Sequence, residues 1–117
     1  MDEIIKTLKD ANFDVDGTLE RFAGNFLLLN KFLVKFLDDK SYEGFKNAIA
    51  ANDYQAAEAT IHTLKGVAGN LGLTDLFNIS NDILTQIRQG TPENVPAKIP
   101  ALDSEYSRVI AVIEKVK

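Results

Sequence analysis

The chain has 117 residues, of which 45% are hydrophobic and 26% are charged, a composition typical of a single globular domain that buries its own core. Its net charge is −4, and its lysines and arginines are scattered rather than clustered, which argues against nucleic acid as a partner. The absence of cysteine excludes disulfides, thiol chemistry and thiolate metal sites. We therefore expect one domain, 1–117.

No segment is predicted to enter a membrane. The most apolar run, 26–37, is interrupted by Asn30, Lys31 and Lys35 and is too short to span a bilayer. The N-terminus begins with acidic residues, where a secretory signal would be basic. We expect a cytoplasmic protein, and a monomer.

The first part of the chain predicts three helices. Apolar spacing indicates an amphipathic helix over 3–11 with Asp2 as its N-cap, and a second short helix after a turn at 14–17. A bundle helix is predicted over 26–39, with a stripe formed by Phe26, Leu29, Leu33, Phe36 and Leu37.

Three further apolar residues widen that stripe, namely Leu27, Leu28 and Phe32. They either contact the bundle core and the N-terminal helices or form an exposed patch where a partner docks. Both interpretations can hold for different residues.

The second part of the chain predicts four more helices. Ser41 is expected to cap a helix to about residue 51, and Asp53 to cap a helix over 53–71 that ends at a left-handed Gly72. The next helix ends at Gly90, and its stripe is Leu76, Ile79, Ile83 and Ile87. A proline-containing linker over 91–100 precedes a terminal helix with the stripe Leu102, Tyr106, Val109, Ile113 and Val116.

No stretch alternates with period two, so the predicted fold is all-α. Short connections favour antiparallel neighbours. We predict an antiparallel up-down four-helix bundle with short additional N-terminal helices.

The predicted helix over 53–71 holds the only histidine, His62. At about 100° per residue, its apolar side lies near 210° from the histidine and comprises Ala57, Ile61, Leu64, Ala68 and Leu71. Within about 60° of the histidine lie Glu58, Lys65, Gly66 and Gly69. Burying this side of the helix would place the charge of Lys65 in an apolar environment, so we expect the side to face solvent. The two glycines add no side-chain bulk there, which leaves room for another macromolecule to approach.

The segment from His62 to Gly72, with H-x-L-K-G and a later L-G pair, resembles the signature of the histidine-containing phosphotransfer (HPt) domain of multistep phosphorelays. The likeness extends to the lead-in at 53–57 and to an L-x-R-F-x-G-N segment at 19–25. It therefore covers most of the chain.

The resemblance implies that His62 accepts a phosphoryl group from the aspartyl phosphate of a receiver domain and passes it to another receiver. Lys65 would offset the charge of the phosphate, and Gly66, Gly69 and Glu58 would lie on the docking face. The chain has no Gly-rich phosphate loop for ATP, so we expect a carrier without a cofactor of its own, whose partner receiver supplies Mg²⁺.

Other interpretations remain open. The domain could dock on receivers without carrying phosphate, or Glu58 and His62 could form half of a metal site. A general acid–base enzyme would need His62 beside a carboxylate in a closed pocket, which an exposed face disfavours. The chain itself could be free-standing or part of a hybrid sensor histidine kinase.

One position departs from the family pattern. Many members have a Gln or Glu on the following helix that reaches the imidazole, and the matching position here is about Leu84. Ser80, Asn81 and Arg88 are the polar residues nearby, and Arg88 is a candidate site residue.

Overall fold

The computed structural model describes residues 2–117 and contains no strand within them. The all-α prediction is confirmed. None of the helices in this part of the chain is both long and apolar enough to cross a lipid bilayer. The seven α-helices are, in chain order, α1 (Asp2–Asp10), α2 (Val15–Arg21), α3 (Phe26–Lys35), α4 (Ser41–Ala50), α5 (Tyr54–Asn70), α6 (Thr74–Arg88) and α7 (Ile99–Val116).

The first two helices begin earlier than the sequence predicts. Asp2 lies inside the first turn of α1 rather than before it, where its carboxylate still favours the positive end of the helix dipole. The predicted turn at 14–17 is the start of α2, because the side chain of Asp14 accepts a hydrogen bond from the N–H of Gly17 at 3.1 Å. The capped residues are therefore the first turn of α2 rather than a separate turn before it.

The predicted helix over 26–39 is shorter and ends in a 3₁₀ turn, Phe36–Asp38. The prediction that Ser41 caps α4 is wrong, since Ser41 is the first residue of that helix. The N-cap residue is Lys40, whose side chain makes no capping hydrogen bond. The carboxylate of Asp39, just before it, accepts hydrogen bonds from the N–H of Ser41, at 2.9 Å, and from its hydroxyl.

The predicted linker over 91–100 is folded rather than extended. It contains two 3₁₀ turns, Pro92–Asn94 and Pro96–Lys98, with Val95 fully buried between them. α7 starts just before Pro100, which is tolerated in the first turn because no intrahelical N–H is needed there.

Helices α4 to α7 form the predicted antiparallel bundle, joined by short connections at 51–53 and 71–73. α5 packs between α4 and α6, and α6 packs against α7. α7 also contacts α4, where the ring of Tyr106 stacks on that of Tyr42 at 3.8 Å between centroids. Beside this stack, Lys46 pairs with Asp103 at 2.8 Å.

The N-terminal helices are attached to the bundle at the C-terminal end of α5. The N–H of Asp14 donates to the carbonyl of Gly72 at 2.8 Å. Gly72 has a φ of +74°, as predicted, and a side chain there would also meet the carbonyl oxygen of Asp14 at 2.6 Å. Only glycine fits this junction, so the end of α5 is fixed by both its own turn and its neighbour.

Candidate functional site

The central helix of the bundle, α5, presents the candidate site. Asp53 caps it by accepting a hydrogen bond from the N–H of Ala56 at 3.1 Å. The apolar stripe predicted from the helical wheel is confirmed, since its members are at most 5% exposed: Ala57, Ile61, Leu64, Ala68 and Leu71. Burial along one whole side fixes the backbone of this helix against its neighbours.

On the opposite side of α5, His62 and Gly66 are exposed, and Glu58, Lys65 and Gly69 are half-buried. Within residues 2–117, no group donates a hydrogen bond to the imidazole of His62 or accepts one from it. A methyl group built on Gly66 would meet no atom within 4 Å, so the surface next to the histidine is open. The imidazole is therefore accessible to a large partner.

Gly69 has a different environment from Gly66. A side chain at Gly69 would lie 3.0 Å from the ring of Phe77 on α6, which is closer than nearly all Cβ contacts in proteins. This glycine lets α5 and α6 pack closely. The ring of Phe77 also lies beneath the ammonium of Lys65, with 5.7 Å between Nζ and the ring centroid.

Glu58 and Arg88 form an ion pair across α5 and α6, with 3.1 Å between Oε1 and Nε. Arg88 is therefore engaged by Glu58, one turn before His62. The carboxylate of Glu58, which a metal site would need, is therefore already paired with Arg88. Residues 2–117 contain no cluster of three or more His, Cys, Asp and Glu side chains that would hold a metal ion.

The pairing of α5 with α6 shows which residue lies opposite the histidine. Phe77 packs on Gly69, and Arg88 reaches Glu58. The two helices are therefore antiparallel, and residues nearer the start of α5 lie beside residues nearer the end of α6. Seven residues back from Gly69 is His62, and seven residues on from Phe77 is Leu84. Leu84 is 1% exposed and apolar, so this chain has no polar side chain at the position where many family members place one.

Helix α3 carries an exposed apolar surface. Leu27 is 80% exposed, and Leu28 and Phe32 are 37% and 39% exposed. Phe32 also contacts Phe22, the residue that follows α2, with 5.6 Å between ring centroids, so this residue packs on the N-terminal segment. Docking of a partner on the exposed residues stays a prediction. A groove joins this surface to α5, lined by Phe32, Lys35, Phe36, Asp39, Val67, Asn70 and Leu71.

Arg21 is a residue of this region to which the sequence assigned no role. Its guanidinium donates to the carbonyls of Gly69 and Asn70 at 3.0 and 3.2 Å, and to the hydroxyl of Thr18 at 3.0 Å. A cation at the C-terminus of a helix compensates its free carbonyls and its dipole. The L-x-R-F-x-G-N likeness contained this arginine, but only the fold reveals what it binds.

The family model described as Hpt domain matches residues 29–112, which include all of α4, α5 and α6. No curated protein and no solved structure matches the chain. Hpt domains are phosphocarriers rather than kinases, and they interact with the receiver domains of response regulators. The match covers well over half of the chain, which therefore belongs to the Hpt domain family and serves histidine phosphotransfer in two-component phosphorelays.

Proposed function

We propose that His62 accepts a phosphoryl group from the aspartyl phosphate of one receiver domain and passes it to the aspartate of another. The observation that carries this proposal is the exposure of the chain's single histidine on the outer side of a rigid central helix. A ring without an internal hydrogen bond keeps a nitrogen lone pair free for a partner.

In the accepting step, the unprotonated ring nitrogen of His62 attacks phosphorus. The N–P bond forms as the bond between phosphorus and the aspartyl oxygen breaks, and that electron pair leaves on the carboxylate of the receiver. The attack leaves the ring positively charged, and the proton on its other nitrogen can be released to water and taken up again before onward transfer. Onward transfer is the same step in reverse, with the second receiver's carboxylate as nucleophile. Phosphoryl transfer depends on positioning and charge stabilisation, for which the receiver supplies Mg²⁺.

Lys65 is the proposed source of charge stabilisation from this chain. It lies one turn beyond His62, and the neighbouring Glu58 and Arg88 neutralise each other. An ammonium near the phosphorylated ring offsets part of the negative charge that arrives with the phosphoryl group. Because Lys65 is only half-buried, this contribution is sensitive to salt.

The proposed docking face is centred on Gly66 and extends onto α3. The open space over Gly66 allows the receiver's active site to approach the imidazole. The exposed side chains of Leu27 and Phe32 offer apolar area, and a groove that Phe32 and Asn70 both line connects the Phe32 part of this area with α5. Gly69 and the Glu58–Arg88 pair form the edge of the face along α6.

The proposed carrier is the whole of 1–117, acting as a monomer in the cytoplasm. Arg21 lies outside the matched residues 29–112 and yet binds the last carbonyls of α5, which supports including the N-terminal helices. The receivers it serves would include that of a hybrid sensor histidine kinase, whether as a separate protein or as part of the same chain.

The test is transfer of label from a ³²P-phosphorylated receiver to the chain and to two variants. His62→Gln should take up no acid-labile phosphate and should unfold at the wild-type temperature, because an exposed ring contributes little to packing. Thr63→Gln, the same new side chain on an exposed neighbour, should transfer normally. Acid-labile label on His62→Gln would contradict the proposal. Wild-type chain that binds receivers and takes no label, even from phosphoramidate, would instead identify a docking module.

A further inference from the structure

Phe77 contacts both Gly69 and Lys65 of the phosphotransfer helix. Its ring lies 3.0 Å from the position that a side chain of Gly69 would occupy, which leaves no slack between ring and helix. The ammonium of Lys65 lies over the same ring, 5.7 Å from its centroid, within the range of a cation–π interaction. The lysine assigned to the phosphate thus already has a partner in the unphosphorylated protein.

The ring lies on the side of Lys65 away from the histidine. It packs at the level of Gly69, one turn beyond Lys65, whereas His62 lies one turn before Lys65. Side chains on a helix normally lean towards its N-terminus, which for Lys65 is the direction of His62. The contact with Phe77 therefore works against the direction that the lysine would otherwise favour.

We propose that Phe77 is a positioning residue that holds the ammonium of Lys65 at rest away from His62, so that phosphorylation draws the lysine off the ring. This inference rests on the proposed role of Lys65 in the phosphorylated state. An exposed cation–π contact is weaker than an ion pair with a phosphoryl group, so the lysine changes partner at small cost. That cost lowers the equilibrium constant for forming phosphohistidine by about two- to fivefold.

The first test follows Lys65 directly, in the wild-type protein. Methylene protons of a lysine that lies over an aromatic ring are shifted upfield by the ring current, so the Hε resonances of Lys65 should be upfield in the free protein. They should return to ordinary positions when phosphoramidate phosphorylates His62. Labelled His62 with unchanged Lys65 resonances would overturn the inference while leaving the phosphotransfer function intact. Failure of His62 to take label from phosphoramidate or from any receiver would overturn both.

The second test measures the equilibrium constant for transfer from a phosphorylated receiver to His62. Phe77→Leu keeps apolar bulk against Gly69 and removes the aromatic face, so it should raise the constant about two- to fivefold. Phe77→Tyr keeps the face and should match wild type. In a Lys65→Ala background, Phe77→Leu should have no effect, since a positioning residue acts only through the lysine. A constant that Phe77→Leu leaves unchanged or lowers, or an effect that persists without Lys65, would contradict the inference.

Discussion

Gly66 and Gly69 lie one turn apart on the outer side of α5, and the structure predicts opposite results for the same substitution at each. Glycine inside a helix costs up to about 1 kcal/mol relative to alanine, so helix propensity alone favours replacing both. A side chain at Gly66 enters open space, whereas one at Gly69 meets the ring of Phe77 at 3.0 Å. Gly66→Leu and Gly69→Leu are therefore a matched pair.

The expected stability changes differ in sign. Gly66→Leu should raise the free energy of unfolding by up to about 1 kcal/mol, which for a domain of this size raises the unfolding temperature by about 3–6 °C. Gly69→Leu should lower the free energy of unfolding, since overpacking costs about 1–3 kcal/mol and helix propensity returns at most about 1 kcal/mol. Thermal unfolding followed by circular dichroism measures both.

The expected functional changes separate access from folding. Gly66→Leu should lose receiver binding and transfer, because the leucine covers the surface beside His62, while phosphoramidate, being small, should still label the ring. Gly66→Ala should keep most of the transfer and provides the control for helix propensity. Transfer at the wild-type rate in Gly66→Leu would show that receivers approach from elsewhere. A loss of stability in Gly66→Leu would show that this side of α5 is packed, contrary to the wheel and the structure.

Three further predictions concern charges around the bundle. Lys65→Ala should slow transfer at low ionic strength with little change in unfolding temperature, and the difference from wild type should shrink as salt is added; an equal rate at low salt would remove Lys65 from the site. Arg21→Ala should lower the free energy of unfolding by about 1 kcal/mol in urea titrations, and Arg21→Lys by less, because the carbonyls of Gly69 and Asn70 lose their donor. Burial raises the pKa of Asp103, but hydrogen bonds from Lys46 and Tyr42 outweigh it and lower that pKa below its ordinary value. Asp103 should therefore stabilise the fold above about pH 4 and lose this contribution as the pH falls through its lowered pKa, so Asp103→Asn should flatten the acid side of the stability curve.

The features that the sequence predicted correctly are those that a single helix determines. The period of 3.6 residues separates the buried stripe of α5 from the exposed His62 wherever the neighbouring helices lie. Gly72 likewise ends its helix for a local reason, because a left-handed residue is needed there. The rules for helix caps were less reliable at the start of α4, where two polar side chains lie close together. Ser41 is the first residue of α4 instead of its cap, and its N–H donates to the carboxylate of Asp39, which accepts a hydrogen bond more strongly than a hydroxyl does.

The features that the sequence missed depend on pairing between distant segments. Arg21 binds carbonyls nearly fifty residues away, and neither its spacing nor its charge indicates that partner. Phe77 lies outside the apolar stripe predicted for α6, and only the register of α6 against α5 places it under Lys65. Val95 is a comparable case, because the prolines on either side predicted a linker while its burial folds that linker onto the bundle.

The residue opposite the histidine has a consequence for how the proposed transfer reaches its geometry. With Leu84 buried at that position, no hydrogen bond within residues 2–117 fixes the rotation of the imidazole. In-line attack requires the ring nitrogen to face phosphorus, so the receiver must supply that orientation when it docks. Ordering one such side chain costs about 0.5–1.5 kcal/mol, which is small compared with the free energy of binding across a whole docking face. In return, a ring without a fixed internal partner can adapt to the active sites of different receivers, which suits a carrier that accepts from one and donates to another.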